Sequence, residues 1–385
     1  MRILHTSDWH LGRHFHGEDL LSHQAAYVDH LLDTIAAERV DLVVVAGDVY
    51  DRALPPVDAV ALADDAFARL AACRARVVVT SGNHDSARRL GFNARLVDAA
   101  GVHFRTVADA CATPVVVEDQ HGPVAVYGIP YLEPDVLRAA WSLPARSHQA
   151  ALTEAMRRVR DDLDRRGPGT RSVVLAHAFV AGGASSESER DIAVGGVSLV
   201  GADIFDGVDY VALGHLHGRH TLADGLRYSG SPLAYSFSEA THHKGSWLVD
   251  LDAAGLAGVE FVEAPVPRPL AALSGDLDQL LRDPDHTWAE GAWVQAVLTD
   301  AARPQEAMAR LQRRFPHAVS LQFAPKGGPA RASRRSVIGR SDHDVALDFL
   351  AAVRGRPATE AESTLLREAV DACCDDPDAD VQVSA

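Results

Sequence analysis

Cysteine is scarce in this chain. The four present, Cys73, Cys111, Cys373 and Cys374, have neither the paired spacing of a metal knuckle nor the density of a disulfide framework. Long apolar runs are missing too: no stretch approaches the ~18 residues of a membrane span. The opening MRILHTSDWH lacks the charged, apolar and small-residue zones of a secretory leader, so a cytoplasmic location is expected. No G-x-x-x-x-G-K-[ST] phosphate loop occurs, and any ATP dependence would have to come from another chain. There is no internal repeat and no low-complexity tract. Basic residues are in deficit as well, with 37 Lys+Arg against 53 Asp+Glu and a formal net charge of −16. That balance argues at first against a nucleic-acid partner, which wants clustered Lys/Arg. However, Ser341 to Ala385 carries 11 acids and 3 bases, so half of the excess sits in the tail and a basic surface elsewhere remains open.

What is present is globular. With 385 residues, 47% of them hydrophobic, the chain is long enough for two or three domains whose cores need no staples. Up to about residue 265, short β-branched runs alternate with helical patterns. The runs are Arg2–Thr6, Leu42–Ala46, Val77–Thr80, Val124–Ile129, Ser172–Ala176, Tyr210–Leu213 and Ser246–Leu251. Between the first two, Val28, Leu31, Leu32 and Ile35 share a helical face. After Pro55-Pro56, so do Val60, Ala63, Phe67 and Leu70. Such alternation predicts an α/β architecture with buried sheets. The Pro-rich stretch from Ala264 to Pro269 marks a boundary. We therefore expect a catalytic unit over 1–265 and a small α+β capping domain over 266–325, with a helix near Leu277–Leu281, a strand near Trp293–Thr299, a helix near Gln305–Phe315 and a strand near Val319–Phe323. Residues 326–340, with five bases, no acids and Gly327-Gly328-Pro329, read as a flexible basic linker. Two helical patterns fill 341–385, the second opened by a capping-box pair, Thr359 and Glu362.

Five of the apolar runs end directly in metal-ligand residue types: Ser7-Asp8-Trp9-His10, Gly47-Asp48, Gly82-Asn83-His84-Asp85, His177, and Gly214-His215-Leu216-His217. Ligands of open α/β sheets gather outside the carboxyl ends of the strands, so exits that span over 200 residues can converge on one site. Taken singly, each piece has an ordinary reading: a turn, a helix cap, a hydrogen-bonded core histidine. All of those readings would have to hold together. Asp, Asn and His without Cys form a hard-to-borderline donor set suited to Mn²⁺, Mg²⁺ or Fe²⁺ rather than structural zinc. Asp8, His10, Asp48, Asn83, His177, His215 and His217 are too many for one ion and about right for two divalent ions with a bridging carboxylate. Such a centre keeps a net positive charge, favours a phosphate ester and supplies hydroxide near neutral pH. His84 is the candidate to assist the leaving oxygen, with Asp85 to orient its ring.

These blocks resemble, in order and type, those of the calcineurin-like metallophosphoesterases: D-x-H, GD, GNH(D/E), H and GH-x-H. The resemblance implies a four-layer α/β/β/α sandwich. It also implies one ion on Asp8, His10, Asp48 and His217, and a second on Asp48, Asn83, His177 and His215. A narrower likeness rests on His5 to Gly12, Ala46 to Asp51, Ser188-Glu-Arg190 with Val194-Gly-Gly196, Asp209 to His217, and Tyr228-Ser-Gly-Ser-Pro232. These are similar to SbcD-type nuclease subunits of the bacterial SbcC–SbcD complex. That likeness implies an Mn²⁺-dependent double-strand exonuclease and hairpin or single-strand endonuclease. It would be a homodimer at the nucleoid, partnered by an SbcC-type ATPase, in DNA repair, recombination and replication. Archaeal and eukaryotic relatives carry a second active-site histidine where this chain has Asp51. The terminal helices read equally as docking elements for the ATPase or as a hairpin folded back on the catalytic unit. Arg13, Arg52, Arg88, Arg89 and Arg95 follow ligand blocks and read equally as holders of DNA phosphates or as solvated surface. Two other functions fit the same blocks less well: a small-molecule phosphodiesterase, such as a cyclic-nucleotide hydrolase, and a DNA-end scaffold regulating an ATPase.

Overall fold

In the computed structural model, residues 1–190, 199–326, 341–354 and 356–374 are described. Two six-stranded sheets form the larger part. The first runs Gly255–Glu263, Gly245–Asp252, Arg2–Thr6, Leu42–Ala46, Arg76–Thr80, Val102–Arg105, the last four parallel to one another. The second runs His220–Ala223, Leu226–Tyr228, Tyr210–Gly214, Arg171–His177, Gly122–Ile129, Val115–Asp119, with a parallel centre of four strands. Alternate side chains explain the stacking. Ile3, Leu42, Val44, Ala46 and Val78 of the first sheet meet Val124, Val126, Val173, Leu175 and Ala212 of the second. Their neighbours Leu4, Val43, Val45, Val77 and Val79 point the other way, onto helices Leu21–Glu38 and Val57–Ala72. On the far side, Ala125, Tyr127, Val174, Ala176, Val211 and Leu213 bury against helix His148–Arg166. A central strand covered on both faces must be apolar throughout, hence runs such as Leu42-Val-Val-Val-Ala46. The result is the expected α/β/β/α sandwich.

The face of helix Val57–Ala72 differs from expectation. Ala59, Ala63, Ala66 and Leu70 are buried while Val60 is exposed, because small side chains let the helix lie close to the sheet. Phe67 slides sideways to stack on Trp9, at 5.8 Å between ring centroids. Trp9 thus faces the helix layer, while Asp8 and His10 on either side of it turn into the Asp/His cluster.

Beyond the Pro-rich stretch, parallel strands Leu270–Gly275, Trp293–Leu298 and Ala318–Phe323 pack on helices Leu277–Arg282 and Ala307–Arg314 around their own core. Trp293, Leu270 and Val319 press against Phe15, Leu20, Leu233, Tyr235 and Phe237, which seats this small sheet beside the loops that carry the candidate ligand residues. Helices Asp342–Arg354 and Glu360–Cys374 follow. The second begins with the expected reciprocal cap: Glu362 accepts from the Thr359 N–H at 2.8 Å and the Glu362 N–H donates to Thr359 Oγ1 at 3.4 Å. The basic linker (327–340) and Val194-Gly195-Gly196 lie outside the described residues.

Candidate metal centre

Strands Arg2–Thr6, Leu42–Ala46, Arg76–Thr80, Arg171–His177 and Tyr210–Gly214 all end on the same side of the sandwich, and the chain turns sharply after them. Asp8, His10, Asp48 and His215 have positive φ (53°, 46°, 51° and 106°), a conformation that costs side-chain-bearing residues energy and clusters at functional sites. Two glycines make the crowding feasible. A Cβ on Gly82 would stand 2.1 Å from Asp48 Oδ1, and one on Gly214 would stand 1.9 Å from the Ala46 carbonyl oxygen.

The seven expected ligands come together, and His84 with them. Ligand atoms fall into three overlapping sets, each within 4.8 Å: Asp8, His10 and His217; His10, Asp48 and His84; Asp8, Asp48 and His177. Asn83 joins through Oδ1, 2.8 Å from His177 Nε2 and 3.2 Å from His215 Nδ1. The backbone sets the direction of the rings. His177 Nδ1 donates to the Ala46 carbonyl at 2.9 Å, which aims Nε2 at Asp48 Oδ2, 3.3 Å away. Asp8 is clamped by the Ser7 hydroxyl at 2.5 Å and by the His215 N–H at 3.0 Å.

Asp8 and Asp48 are fully buried, and among the described residues neither has a Lys or Arg within ion-pair distance. Burying two carboxylates together is costly unless a cation pairs with them or one of them takes up a proton. Burial pushes the Asp8 carboxyl up to about 6. Asp48 is held well below the usual carboxylate range: burial opposes this, but the charge of His177 outweighs it, and His177 is in turn raised to about 9. Burial lowers His215 to about 3, leaving it neutral and able to donate a lone pair. The Nε2 atoms of His10 and His217 stand 3.0 Å apart, and among the described residues His10 Nδ1 and Asn83 Nδ2 are buried without a hydrogen bond. Buried, convergent lone pairs beside paired carboxylates fit a divalent metal site.

The structure revises the role expected for Asp85. Its carboxylate accepts the N–H groups of Val49 (3.1 Å), Tyr50 (2.9 Å) and Gly82 (2.9 Å), so it staples two ligand loops together instead of orienting His84. Burial and the Asp48 charge raise it to about 7. The His84 ring is held by the Asp51 carbonyl, to which Nδ1 donates at 2.7 Å; among the described residues its Nε2 has no hydrogen-bond partner. Arg13 is also revised. It is half-buried, bonded to the Ser188 carbonyl at 2.8 Å, near Asp51 at 3.5 Å and stacked over Tyr235. Arg52 is 74% exposed, Arg88 and Arg95 are exposed, and Arg89 donates to the Ala53 carbonyl at 3.0 Å.

Sequence reasoning missed the residues behind the ligands. Gln24 holds the His10 carbonyl at 2.7 Å. Tyr235 lies edge-on to both His10 and His217. Ser188, Glu189, Glu239 and Lys244 surround His217. Of these, only Ser188 and Glu189 belong to a block that the sequence marks, Ser188-Glu-Arg190.

A family model of the calcineurin-like phosphoesterases matches residues 1–219, more than half of the chain, and the chain belongs to that family. A second model, SbcD_C, described as the type 5 capsule protein repressor C-terminal domain, matches residues 266–354. The two domains in this order match an SbcD-type nuclease subunit.

Proposed function

We propose that this protein is an Mn²⁺-dependent DNA nuclease that processes ends and hairpins as the partner of an SbcC-type ATPase. The convergence of five strand exits on two buried carboxylates carries the phosphodiesterase part of this reading. The SbcD_C match supports the DNA substrate and the ATPase partner. Asp8, His10, Asp48 and His217 would hold one ion, and Asp48, Asn83, His177 and His215 the other. Two divalent ions supply Lewis acidity toward a phosphate ester and hydroxide near neutral pH. The chain's own part is positional. Asp85 fixes the Gly47 and Gly82 loops to each other, so the ligand spacing does not drift. His84, pinned through Nδ1, offers Nε2 to the leaving oxygen and moves a proton there.

Homodimerisation is assigned to the apolar surface around Leu54, Val57, Phe92 and Leu96, which are 69–82% exposed and joined by the Arg89–Ala53 hydrogen bond. The ATPase is assigned to the two C-terminal helices, where Phe349 and Leu365 are exposed. DNA phosphates are assigned to Arg52, Arg88 and Arg95.

The direct test is cleavage of a hairpin-ended duplex with Mn²⁺, with and without the ATPase. Cutting should rise with the partner, and His84→Ala should lose about 10²–10⁴-fold in kcat. Turnover of a small phosphodiester with no cutting of any DNA would sink the nuclease reading and leave a small-molecule phosphodiesterase.

A further inference from the structure

We infer that Glu239, acting through Ser188 and braced by Lys244, is a positioning residue for the imidazole of His217. The inference rests on the reading of His217 as a metal ligand. His217 Nδ1 lies 2.5 Å from Ser188 Oγ, and the Ser188 hydroxyl donates to Glu239 Oε1. The Lys244 ammonium donates to Glu239 Oε2, to Ser231 Oγ at 3.0 Å, and back to the carbonyl of His217 itself at 2.8 Å. The ring of contacts is closed.

Its proton directions are set by chemistry. A carboxylate only accepts and an ammonium only donates. The serine proton therefore points at Glu239, and the serine lone pair receives His217 Nδ1–H. That leaves Nε2 unprotonated on the side where it faces His10 Nε2 at 3.0 Å. The neighbouring Glu189 fixes the backbone of the same residue, accepting the His217 N–H at 2.7 Å. Two segments about 50 residues apart thus end on one histidine: the stretch from Ser186 to Glu189, and the stretch that runs from the turn Phe237–Glu239 to Lys244 at the entry to strand Gly245–Asp252.

Stability does not account for the arrangement. The Glu239 and Lys244 side chains are 0% and 5% exposed, and a buried ion pair of this kind holds a fold no better than well-packed apolar residues. A neutral imidazole that must donate from Nε2 does gain from a carboxylate behind Nδ1, which fixes its tautomer and raises its basicity. Here a serine hydroxyl relays that influence.

The test is Mn²⁺ binding to the purified full-length chain, followed by calorimetry and by the electron paramagnetic resonance of the bound ion. Wild type should bind two ions. Ser188→Ala and Glu239→Gln should weaken one of them about 10–100-fold and leave the other unchanged. Hydrolysis of bis-p-nitrophenyl phosphate should then show a raised Mn²⁺ requirement, with kcat restored at saturation. Ser188→Thr keeps the hydroxyl and should keep wild-type affinity. Ser188→Ala removes no buried charge, so it guards against a Glu239 variant that merely misfolds. Unchanged affinity for both ions in Ser188→Ala and Glu239→Gln overturns the relay alone. A wild-type chain that binds no divalent ion overturns the metal reading and the relay with it.

Discussion

The candidate ligand residues were legible because chemistry and position coincided: each stands at the carboxyl end of a buried apolar run, where a carboxylate or imidazole needs a partner. The residues behind them were not. Glu239 reads as one more surface acid in a Ser/His-rich stretch, and only the fold brings it to Ser188, 51 positions away. For Asp85 the sequence shows the neighbourhood but not the task, because adjacency to His84 says nothing about which N–H groups its oxygens meet. Position 51 gives a third case. Its side chain faces Arg13, while its carbonyl holds His84, a duty that any residue type could perform. At this scale the exposed arginines carry a simple prediction. Arg52→Ala and Arg88→Ala should each weaken DNA binding equally across sequences and reduce the salt slope by about 1, as loss of a phosphate contact does. Unchanged slopes in binding titrations at several salt concentrations would assign both to plain surface.

At the level of elements, the central strands were legible and the edges were not. Val102–Arg105, Val115–Asp119, His220–Ala223 and Gly255–Glu263 are edge strands, short or half-polar, so their pattern resembles a loop, and Leu226–Tyr228, one place in, is only three residues long. The glycines at the strand exits belong to this scale, since they decide how closely two sheets approach. Gly214→Ala places a methyl group 1.9 Å from a backbone oxygen and should cost about 1–3 kcal/mol in denaturant melts, whereas Gly258→Ala, with nothing within 4 Å, should be near neutral. The opposite end of the sandwich is tied by charge. Arg171 bonds Asp119 at 2.5 Å and the Asp252 carbonyl at 3.3 Å, and Asp119 also meets the N-terminal ammonium at 2.8 Å. The Arg171 guanidinium, against partial burial, holds Asp119 well below the usual carboxylate range. A carboxyl depressed on folding adds stability that is full above its unfolded value near 4 and is lost as pH falls toward the folded one. Asp119→Asn should therefore melt lower at pH 7 and show a shallower decline of melting temperature below pH 4. Parallel acid limbs for variant and wild type would contradict this.

For the whole molecule, the assigned dimer face and the ligand loops lie on neighbouring segments, since Leu54 and Val57 follow Asp48 within ten residues. Val57→Asp and Phe92→Asp should convert a dimer into monomers by light scattering while leaving Mn²⁺ binding intact. A wild-type chain that is already monomeric at micromolar concentration would remove that assignment. No helix among the described residues is long and apolar enough to cross a membrane. The dispersal of the Asp/His cluster over the chain has a further consequence, for synthesis in the cell. His217 is made 209 positions after Asp8. At about 5–20 residues per second, roughly 10–40 s separate them on the ribosome. Throughout that interval a nascent or prematurely ended chain holds only part of the cluster. A phosphoesterase activity that needs the whole cluster would thus arise only after the sandwich has closed.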